Sequence, residues 1–327
     1  MNEPLKKGES GFEDAPTCNL QLASCNLQPE TRFVQFQKIT VAGVGLLGGS
    51  LGLAVKQRRL AKKVDGLVRR SASITECDEL GVVDHATRDP LRAVENADLV
   101  VLCTPLARMR EVLQQMLPAL KRDAIVTDVA SAKASVVQQL EPLVAGAGGH
   151  FVGSHPMAGA EKMGPGAARP DLFVNAVCVI TPTPQSSPDA VRCVETFWEA
   201  VGAHPLNLTP EAHDDLVSRS SHLPHVVAAE LANYVLSPAH PKEQAMLCAN
   251  GFRDTTRIAS SSPEMWRDIA LANRKNLARV LGVLVEDLQE FQLALEIADA
   301  KAIEEFFEQA KQRRDGWSVQ TASPSPE

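Results

Sequence analysis

The sequence of 327 residues lacks several features that would each define a class of protein. No apolar run approaches the ~20 residues that cross a membrane. The polar and acidic residues after the N-terminus do not resemble the apolar core of a signal peptide. Seven cysteines are scattered without a C-x-x-C pair, which is typical of reduced thiols in the cytoplasm. We therefore expect a cytoplasmic protein without a membrane partner.

Long basic runs are also absent, and the formal net charge is −7. General binding to nucleic acids depends on clustered Lys and Arg, so we expect no nucleic-acid partner. Hydrophobic residues make up 44% of the chain and charged residues 22%, which is ordinary for a globular protein. The length suits two domains.

The pattern of apolar runs divides the chain into four parts. Residues 1–35 and 316–327 are polar and predict a disordered leader and tail. Residues 36–209 alternate short strands with helices, which predicts an α/β Rossmann-type domain with a doubly wound parallel sheet. Residues 210–315 predict a smaller all-helical domain for substrate binding and dimerisation, so we expect a homodimer. The predicted strands are 38–42, 63–68, 81–83, 97–103, 124–128, 151–153 and 176–181, and the predicted helices are 46–57, 73–80, 109–120, 211–236 with an interruption at Pro224, 263–290 and 301–314.

A glycine-rich turn follows the first predicted strand and opens the first helix. Gly43, Gly45 and Gly48 have the G-x-G-x-x-G spacing of a dinucleotide-binding turn. In such a turn the first glycine permits the bend, the second lets the pyrophosphate approach, and the third packs the helix on the strand. We therefore predict a nicotinamide cofactor. Further cofactor-binding candidates are Leu46 and Leu47 in the turn, and Thr104 and Pro105 after the fourth predicted strand.

The acidic residue that usually binds the ribose 2′-hydroxyl is missing after the second predicted strand. Arg69, Arg70 and Ser71 stand there instead. Arginine binds phosphate well, so the sequence favours NADP over NAD through a 2′-phosphate site. Solvated loop arginines would give the same pattern, and NAD therefore remains the alternative.

Four further segments carry residues suited to catalysis: DVASAK at 128–133, GSHPMAGAE at 153–161, SHLPH at 221–225 and GFRDTTRIASSSPEMWRDI at 251–269. Taken singly, most have a structural explanation, such as a helix cap at Ser131. His155 lies at a strand end, where functional residues cluster. His222 and His225 have an i, i+3 spacing seen in some metal sites, but no third ligand supports them, so we expect no metal.

Together with GVGLLGGSLGLA, these segments resemble the prephenate/arogenate dehydrogenases of tyrosine biosynthesis, the TyrA family, over roughly residues 36–312. The resemblance implies oxidative decarboxylation of prephenate to 4-hydroxyphenylpyruvate, with hydride transfer to NAD(P). Arogenate, which would give tyrosine directly, is the alternative substrate. Loss of CO2 after hydride transfer makes the ring aromatic, so the chemistry requires no metal.

The resemblance also implies a role for each matching residue. His155 is the expected general base, and Ser131 is expected to orient it. Arg257 is expected to clamp a substrate carboxylate, and His225 to contact the substrate. Because these residues come from both domains, the substrate is expected in the interdomain cleft. The residues expected to shape and support the pocket are His222, Asp254 and Trp266.

Two other functions stay open at this point. The β-hydroxyacid dehydrogenases share the two-domain layout and often use a catalytic lysine, for which Lys133 is the candidate. A dinucleotide-sensing protein without turnover would also keep the fold. Between the two substrates, an acidic residue near the side chain would favour the ammonium group of arogenate, and Glu161 is the candidate by position.

Overall fold

The structure is a computed structural model that describes residues 35–159 and 164–321, with side chains described as far as residue 317. The predicted leader before residue 35, the end of the predicted tail from residue 322, and Glu161 lie outside the described residues. No helix in the described ranges is long and apolar enough to cross a membrane.

Six parallel strands form the main sheet of the described chain. In chain order they are β1 (Phe36–Ala42), β2 (Ala61–Leu67), β3 (His85–Thr87), β4 (Leu99–Leu102), β5 (Ile125–Asp128) and β6 (His150–Phe151). Their order across the sheet is β3-β2-β1-β4-β5-β6. This is the order of a doubly wound dinucleotide-binding sheet, in which ligands bind outside the carboxyl ends of the strands where the order reverses. The predicted α/β fold class is confirmed.

Helices cover both faces of this sheet and bury two apolar cores. On β4, Leu99 and Val101 belong to one core, whereas Val100 and Leu102 belong to the other, and none of the four is exposed. The sequence of such a strand is apolar at every position because both of its faces are buried. The helices of this part are α1 (Leu46–Gln57), α2 (Ala72–Leu80), α3 (Pro90–Val94), α4 (Leu106–Met116), α5 (Ala134–Gly146) and α6 (Pro188–Val201).

A second, three-stranded sheet follows directly on the first. It consists of β7 (Gly153–Pro156), β8 (Val177–Thr181) and β9 (His204–Asn207), with β7 antiparallel and β9 parallel to β8. The prediction of a single strand at 151–153 was wrong, because the chain leaves the main sheet after Phe151 and enters the second one at Gly153. The buried Val152 between them continues the apolar run and hides the switch.

The strand predicted at 81–83 was also wrong. Residues 81–84 form a turn after α2, and the strand begins at His85. The apolar pattern at Val82 and Val83 reflects the packing of their side chains in the core beneath the turn, and not strand pairing in the sheet. The edge strand β9, which is largely exposed, gave no apolar pattern and was not predicted.

The remainder of the described chain is helical, as the sequence predicts. Its helices are α7 (Pro210–Val217), α8 (Leu223–Val235), α9 (Glu243–Met246), α10 (Asn250–Thr256), α11 (Pro263–Ala272), α12 (Arg274–Glu296) and α13 (Ala300–Thr321). The helix predicted to break at Pro224 instead passes through a π-helical turn at Ser218–His222, which joins α7 to α8. Pro224 therefore sits in the first turn of α8, where proline is tolerated.

The helix predicted at 263–290 is two helices that meet at Asn273. Ser262 caps the first of them by accepting a hydrogen bond from the backbone N–H of Met265 at 3.4 Å. At the other end, α13 continues to Thr321, beyond the predicted helix end at residue 314.

Candidate active site

The glycine-rich turn between β1 and α1 has the geometry that a bound dinucleotide needs. Gly43 has a φ of +101°, and a Cβ there would lie 2.8 Å from the carbonyl of Cys103. A Cβ on Gly48 would lie 2.1 Å from the carbonyl oxygen of Gly43. Above Gly45, by contrast, a Cβ would meet nothing within 4 Å. This open space at the N-terminus of α1 fits a pyrophosphate, because free N–H groups and the helix dipole favour negative charge there.

The other predicted cofactor residues flank this turn. Leu46 is buried and Leu47 is half-buried, and both pack against the apolar core. They can therefore offer a cofactor their backbone N–H groups but not their side chains. Thr104 and the exposed Pro105 follow β4, and the Thr104 hydroxyl is buried without a hydrogen-bond partner among the described residues. A buried hydroxyl in this position suits a ligand group that completes its hydrogen bonding.

Three arginines lie at the edge of the sheet beyond β2. Arg69 and Arg70 are exposed after β2. Arg88, which follows β3, donates from Nε to the Arg69 carbonyl at 3.2 Å and from Nη1 to Ser71 Oγ at 3.1 Å. Arg88 was not predicted as a site residue, because the third strand begins at His85, four residues after the start of the predicted strand at 81–83. With β3 in its true position, the parallel pairing of β2 and β3 brings the residues that follow both strands together.

His155 lies on β7 at the centre of the candidate site and is 7% exposed. Its Nδ1 is 2.8 Å from Nε2 of His213, which comes from α7 of the helical part. The other nitrogen of His213, Nδ1, is 2.8 Å from Oδ1 of Asp214. Asp214 also accepts hydrogen bonds from the backbone N–H groups of Lys133 at 2.7 Å and Ala134 at 3.0 Å. These contacts fasten α7 to the start of α5 and place His213 against the predicted base.

The surroundings of His155 favour a neutral imidazole. Burial lowers the pKa of His155 well below 6.5, and the charges of His213 and Lys133 lower it further. Burial also lowers the pKa of His213, against the opposing effect of its hydrogen bond to Asp214. Both rings are therefore uncharged near neutral pH, and His155 can accept a proton.

Lys133 is buried and holds the DVASAK segment against β7. Its ammonium group forms an ion pair with Asp128, and neither side chain is exposed. Lys133 Nζ also donates to the carbonyl of Ser154 at 2.7 Å, while the Ser154 N–H donates to Asp128 Oδ1 at 3.2 Å. Burial lowers the pKa of Lys133, and Asp128 opposes that shift. This lysine serves to join two chain segments and is not accessible to a substrate.

Ser131 lies in the same segment and is half-buried. No hydrogen bond between Ser131 and His155 is present among the described residues, and the Nδ1 atom of His155 is taken by His213. The backbone carbonyl of Ser131 faces His222 and opposes the lowering of its pKa. The expected role of Ser131 in orienting His155 stays a prediction.

The helical part contributes an aromatic wall. The ring of His225 stacks on Trp266 with centroids 3.8 Å apart, and the ring of His222 meets the same indole edge-on at 6.0 Å. Burial lowers the pKa of His225, and the positive charge of Arg257 lowers it further, which places that guanidinium nearby. Burial lowers the pKa of His222 to about 4. The predicted residues His222, His225 and Trp266 are thus brought together with Arg257. Arg257, like Asp254 on α10, is exposed.

Three site residues were not singled out from the sequence: His213, Asp214 and Asn273. Asn273 Nδ2 donates to the carbonyl of Asp214 at 2.7 Å and lies 3.2 Å from Nδ1 of His222, so it links the two histidine groups. The only local signal was the adjacent His-Asp pair at the start of the helical part. Such a pair is equally common on an exposed helix face, and only the docking of α7 buries it.

Two family models match consecutive parts of the chain. "Prephenate dehydrogenase, nucleotide-binding domain" matches residues 51–207, and "Prephenate dehydrogenase, dimerization domain" matches residues 209–312. The first covers most of the two sheets, and the second covers the helical part up to the middle of α13.

Individual relatives agree with the two family models. A prephenate dehydrogenase of Bacillus subtilis (strain 168) is 33% identical over 294 residues, which are 88% of this chain and 78% of the relative. A cyclohexadienyl dehydrogenase of Zymomonas mobilis is 33% identical over 282 residues, which are 85% of this chain and 95% of the relative. Among solved structures, prephenate dehydrogenase from A. aeolicus in complex with hydroxyphenyl propionate and NAD+ has a TM-score of 0.80 and 30% identity, covering 86% of this chain and 98% of that one.

Proposed function

This chain belongs to the prephenate dehydrogenase family, from which we infer that it oxidises and decarboxylates prephenate to 4-hydroxyphenylpyruvate with hydride transfer to a nicotinamide cofactor. The observation that carries the proposal is the position of His155. His155 is buried and neutral, and its ring contacts His213 of the helical part. In the same helical part Arg257 lies near His225, which stacks on Trp266. A neutral base and a cation suit a substrate that has a hydroxyl to deprotonate and carboxylates to bind.

The glycine-rich turn and the N-terminus of α1 would hold the pyrophosphate of the cofactor, which when bound supplies the hydride acceptor. His155 accepts the proton of the ring hydroxyl through Nε2 as hydride leaves the same carbon. The electron pair of the breaking bond to the carboxylate then flows into the ring and makes it aromatic. CO2 leaves, the former carbonyl oxygen becomes a phenolate, and His155 returns the proton to it. No net proton is consumed or released.

Arg257 is proposed to bind a substrate carboxylate, and the stacked pair of His225 and Trp266 to form the adjacent wall. The planar donor fork of arginine matches a carboxylate in a way that lysine does not. The indole N–H of Trp266 is buried without a partner among the described residues, and it is a donor only. It therefore offers a second position for a substrate oxygen.

Lys133 argues against the β-hydroxyacid dehydrogenase alternative. A catalytic lysine must reach the substrate, but this ammonium group is buried and held by Asp128 and by the carbonyl of Ser154. The same contacts give Lys133 a structural role between the segment after β5 and β7.

We propose NADP as the preferred cofactor on the strength of Arg69, Arg70 and Arg88. No acidic residue follows β2, and Arg88 ties the loop together through Ser71 Oγ. Three guanidinium groups at one sheet edge favour a 2′-phosphate over a hydroxyl. The A. aeolicus structure contains NAD+, and NAD is therefore the alternative cofactor to be tested.

We also propose a homodimer that forms through the helical part and works in the cytoplasm. Helix α12 exposes Val285, Leu288 and Leu293, each about half exposed (45%, 51% and 56%), and α13 exposes Phe307 at 60%. Exposed apolar side chains on neighbouring long helices are suited to a subunit interface. The free thiols among the described cysteines agree with a reducing compartment. Sedimentation analysis at micromolar concentration tests the dimer.

The decisive experiment is a matrix of two substrates and two cofactors. Purified protein is mixed with prephenate or arogenate and with NAD or NADP, and reduced cofactor, CO2 and the aromatic product are measured. We expect 4-hydroxyphenylpyruvate from prephenate, with NADP the better acceptor. Turnover of arogenate to tyrosine without turnover of prephenate would move the assignment to arogenate dehydrogenase. Cofactor binding without turnover of either substrate would favour a sensing protein.

A further inference from the structure

A chain of hydrogen bonds runs from the proposed base into the protein interior. It starts at Nδ1 of His155, passes through both ring nitrogens of His213 and ends at Oδ1 of Asp214, with heavy-atom distances of 2.8 Å at each step. His213 is completely buried, and Asp214 is 3% exposed. The two histidine rings are packed edge to face, with centroids 5.0 Å apart. Such an arrangement leaves little freedom for either ring to rotate.

The end of this chain determines where each proton lies. Asp214 accepts two backbone N–H groups at the start of α5, one on each carboxylate oxygen, so both oxygens act as hydrogen-bond acceptors. An ionised carboxylate can only accept, so His213 Nδ1 must carry the proton of that hydrogen bond. The neutral ring of His213 then has its lone pair on Nε2. That atom accepts from Nδ1–H of His155, and the lone pair of His155 is left on Nε2.

We propose that His213 and Asp214 are positioning residues that fix His155 in the tautomer whose Nε2 is free to take the substrate proton. The inference rests on the proposed function, in which His155 is the base. When His155 accepts the hydroxyl proton at Nε2, it becomes an imidazolium with a proton on both nitrogens. Its Nδ1–H still donates to His213 Nε2, so the new charge forms within an existing hydrogen bond. Asp214 remains a hydrogen-bond acceptor throughout, and when the proton returns to the product oxygen the same tautomer is restored.

The opposite tautomers are excluded by the same contacts. If His155 Nδ1 were the acceptor, His213 Nε2 would have to donate, and the lone pair of its Nδ1 would face the carboxylate at 2.8 Å. Two acceptors at that distance repel each other, and burial would strengthen the repulsion. The hydrogen bonds of Asp214 therefore select one proton arrangement for the whole chain.

The test uses His213, because changing Asp214 would have a second effect. In Asp214→Asn, the side-chain NH2 group would face either the backbone N–H of Ala134 or the two donors that bind Oδ1, which are Lys133 N–H and His213 Nδ1–H. Donors would then oppose each other, and the start of α5 would be weakened. His213→Gln keeps an oxygen that can accept from His155 Nδ1–H. His213→Phe fills a similar volume but accepts nothing. A packing role predicts that Phe is tolerated at least as well as Gln, whereas the tautomer role predicts the reverse.

We expect His213→Phe to lower kcat by about 10²–10⁴-fold, the range for loss of a correctly protonated general base. His213→Gln should retain at least about tenfold more activity than Phe, as expected when the acceptor is kept. KM for prephenate and cofactor affinity should change little in both, since neither touches a ligand. Equal activity of the two variants, or a more active Phe variant, would overturn the proposal.

Nitrogen NMR of histidine-labelled wild-type protein tests the tautomer without any variant. The chain has eight histidines, and the spectrum of His155→Gln identifies the missing resonances. We expect the proton of neutral His155 on Nδ1, and a shift toward Nε2 protonation in His213→Phe. A wild-type proton on Nε2 would overturn the proposal. Normal turnover by His155→Gln would remove the base assignment and this inference with it. An inactive His155→Gln beside a fully active His213→Phe would overturn this inference alone.

Discussion

At the scale of single residues, the site depends on one imidazole kept uncharged. Burial, together with the charges of His213 and Lys133, holds the pKa of His155 well below 6.5. A general base works only when unprotonated, so this shift extends the active form to lower pH. The same burial would destabilise an imidazolium that had no hydrogen-bond partner. The hydrogen bond to His213 would therefore stabilise His155 when it carries the substrate proton.

The pH dependence of kcat/KM follows from that shift. As pH falls, His155 becomes protonated only at pH values below the usual pKa of imidazole. We therefore expect kcat/KM to fall, through this residue, only well under pH 6.5. A pH series of initial rates with prephenate measures it, and the ionisation of prephenate itself is measured separately as the control. A limb centred at 6.5 or above would mean that the base is a solvated histidine or another group.

At the scale of structural elements, the loops that follow neighbouring strands act as pairs. The loop after β2 carries Arg69 and Ser71, and the loop after β3 carries Arg88, which bonds to both. The proposed preference for a phosphorylated cofactor would thus depend on two loops, whose relative position is set by the parallel pairing of β2 and β3.

Arg88→Ala should lower kcat/KM with NADP by about 10–100-fold, the value of a charged hydrogen bond to phosphate, and affect NAD much less. Arg92→Ala, a change at an exposed arginine in the next helix, is the matched control and should alter neither. Titration with 2′,5′-ADP, followed by calorimetry, measures the same effect without turnover. Equal losses with NAD and NADP would show that Arg88 only supports the loop.

A second pair of elements is joined by the buried ion pair of Lys133 and Asp128. Lys133→Met leaves the Asp128 carboxylate buried without its counter-ion, and we expect a loss of about 3–5 kcal/mol in the free energy of unfolding. Lys121→Met removes an exposed partner of Asp98 and should cost less than about 1 kcal/mol. Urea denaturation compares the two. Similar small losses would mean that water reaches Asp128.

The elements also show which parts of the structure could be predicted from the sequence. The glycine turn depends on spacing within six residues and was predicted in full. His155 was placed by its motif and strand end, but its partner His213 lies 58 residues away and meets it only when α7 docks on α5. Arg88 was missed because two buried valines before β3 looked like the strand itself. Contacts that arise from packing between elements left no local pattern to find.

At the scale of the whole molecule, buried histidines lie where the helical part packs against the sheet part. His213 on α7 and His222 in the π-helical turn are both completely buried. Asp214, next to His213, binds the backbone N–H of Lys133 in the segment after β5, and the carbonyl of Ser131 in the same segment faces His222. Both histidines pack between the two parts in their uncharged form, because burial lowers their pKa values. Protonation would place positive charge in an interior that already contains Lys133, so the union of the two parts depends on pH.

The stability of the protein should therefore fall in mild acid. The pKa of His222 is about 4 when folded and about 6.5 when unfolded, so between these values the unfolded chain binds a proton that the folded chain does not. The contribution of His222 to stability should therefore be fully present above pH 6.5 and be lost progressively toward pH 4, by up to about 3 kcal/mol. Urea denaturation across that range measures the slope. His222→Phe should flatten it, whereas His204→Gln, at an exposed position on β9, should leave it unchanged. A slope that is the same in all three proteins would place the acid sensitivity elsewhere.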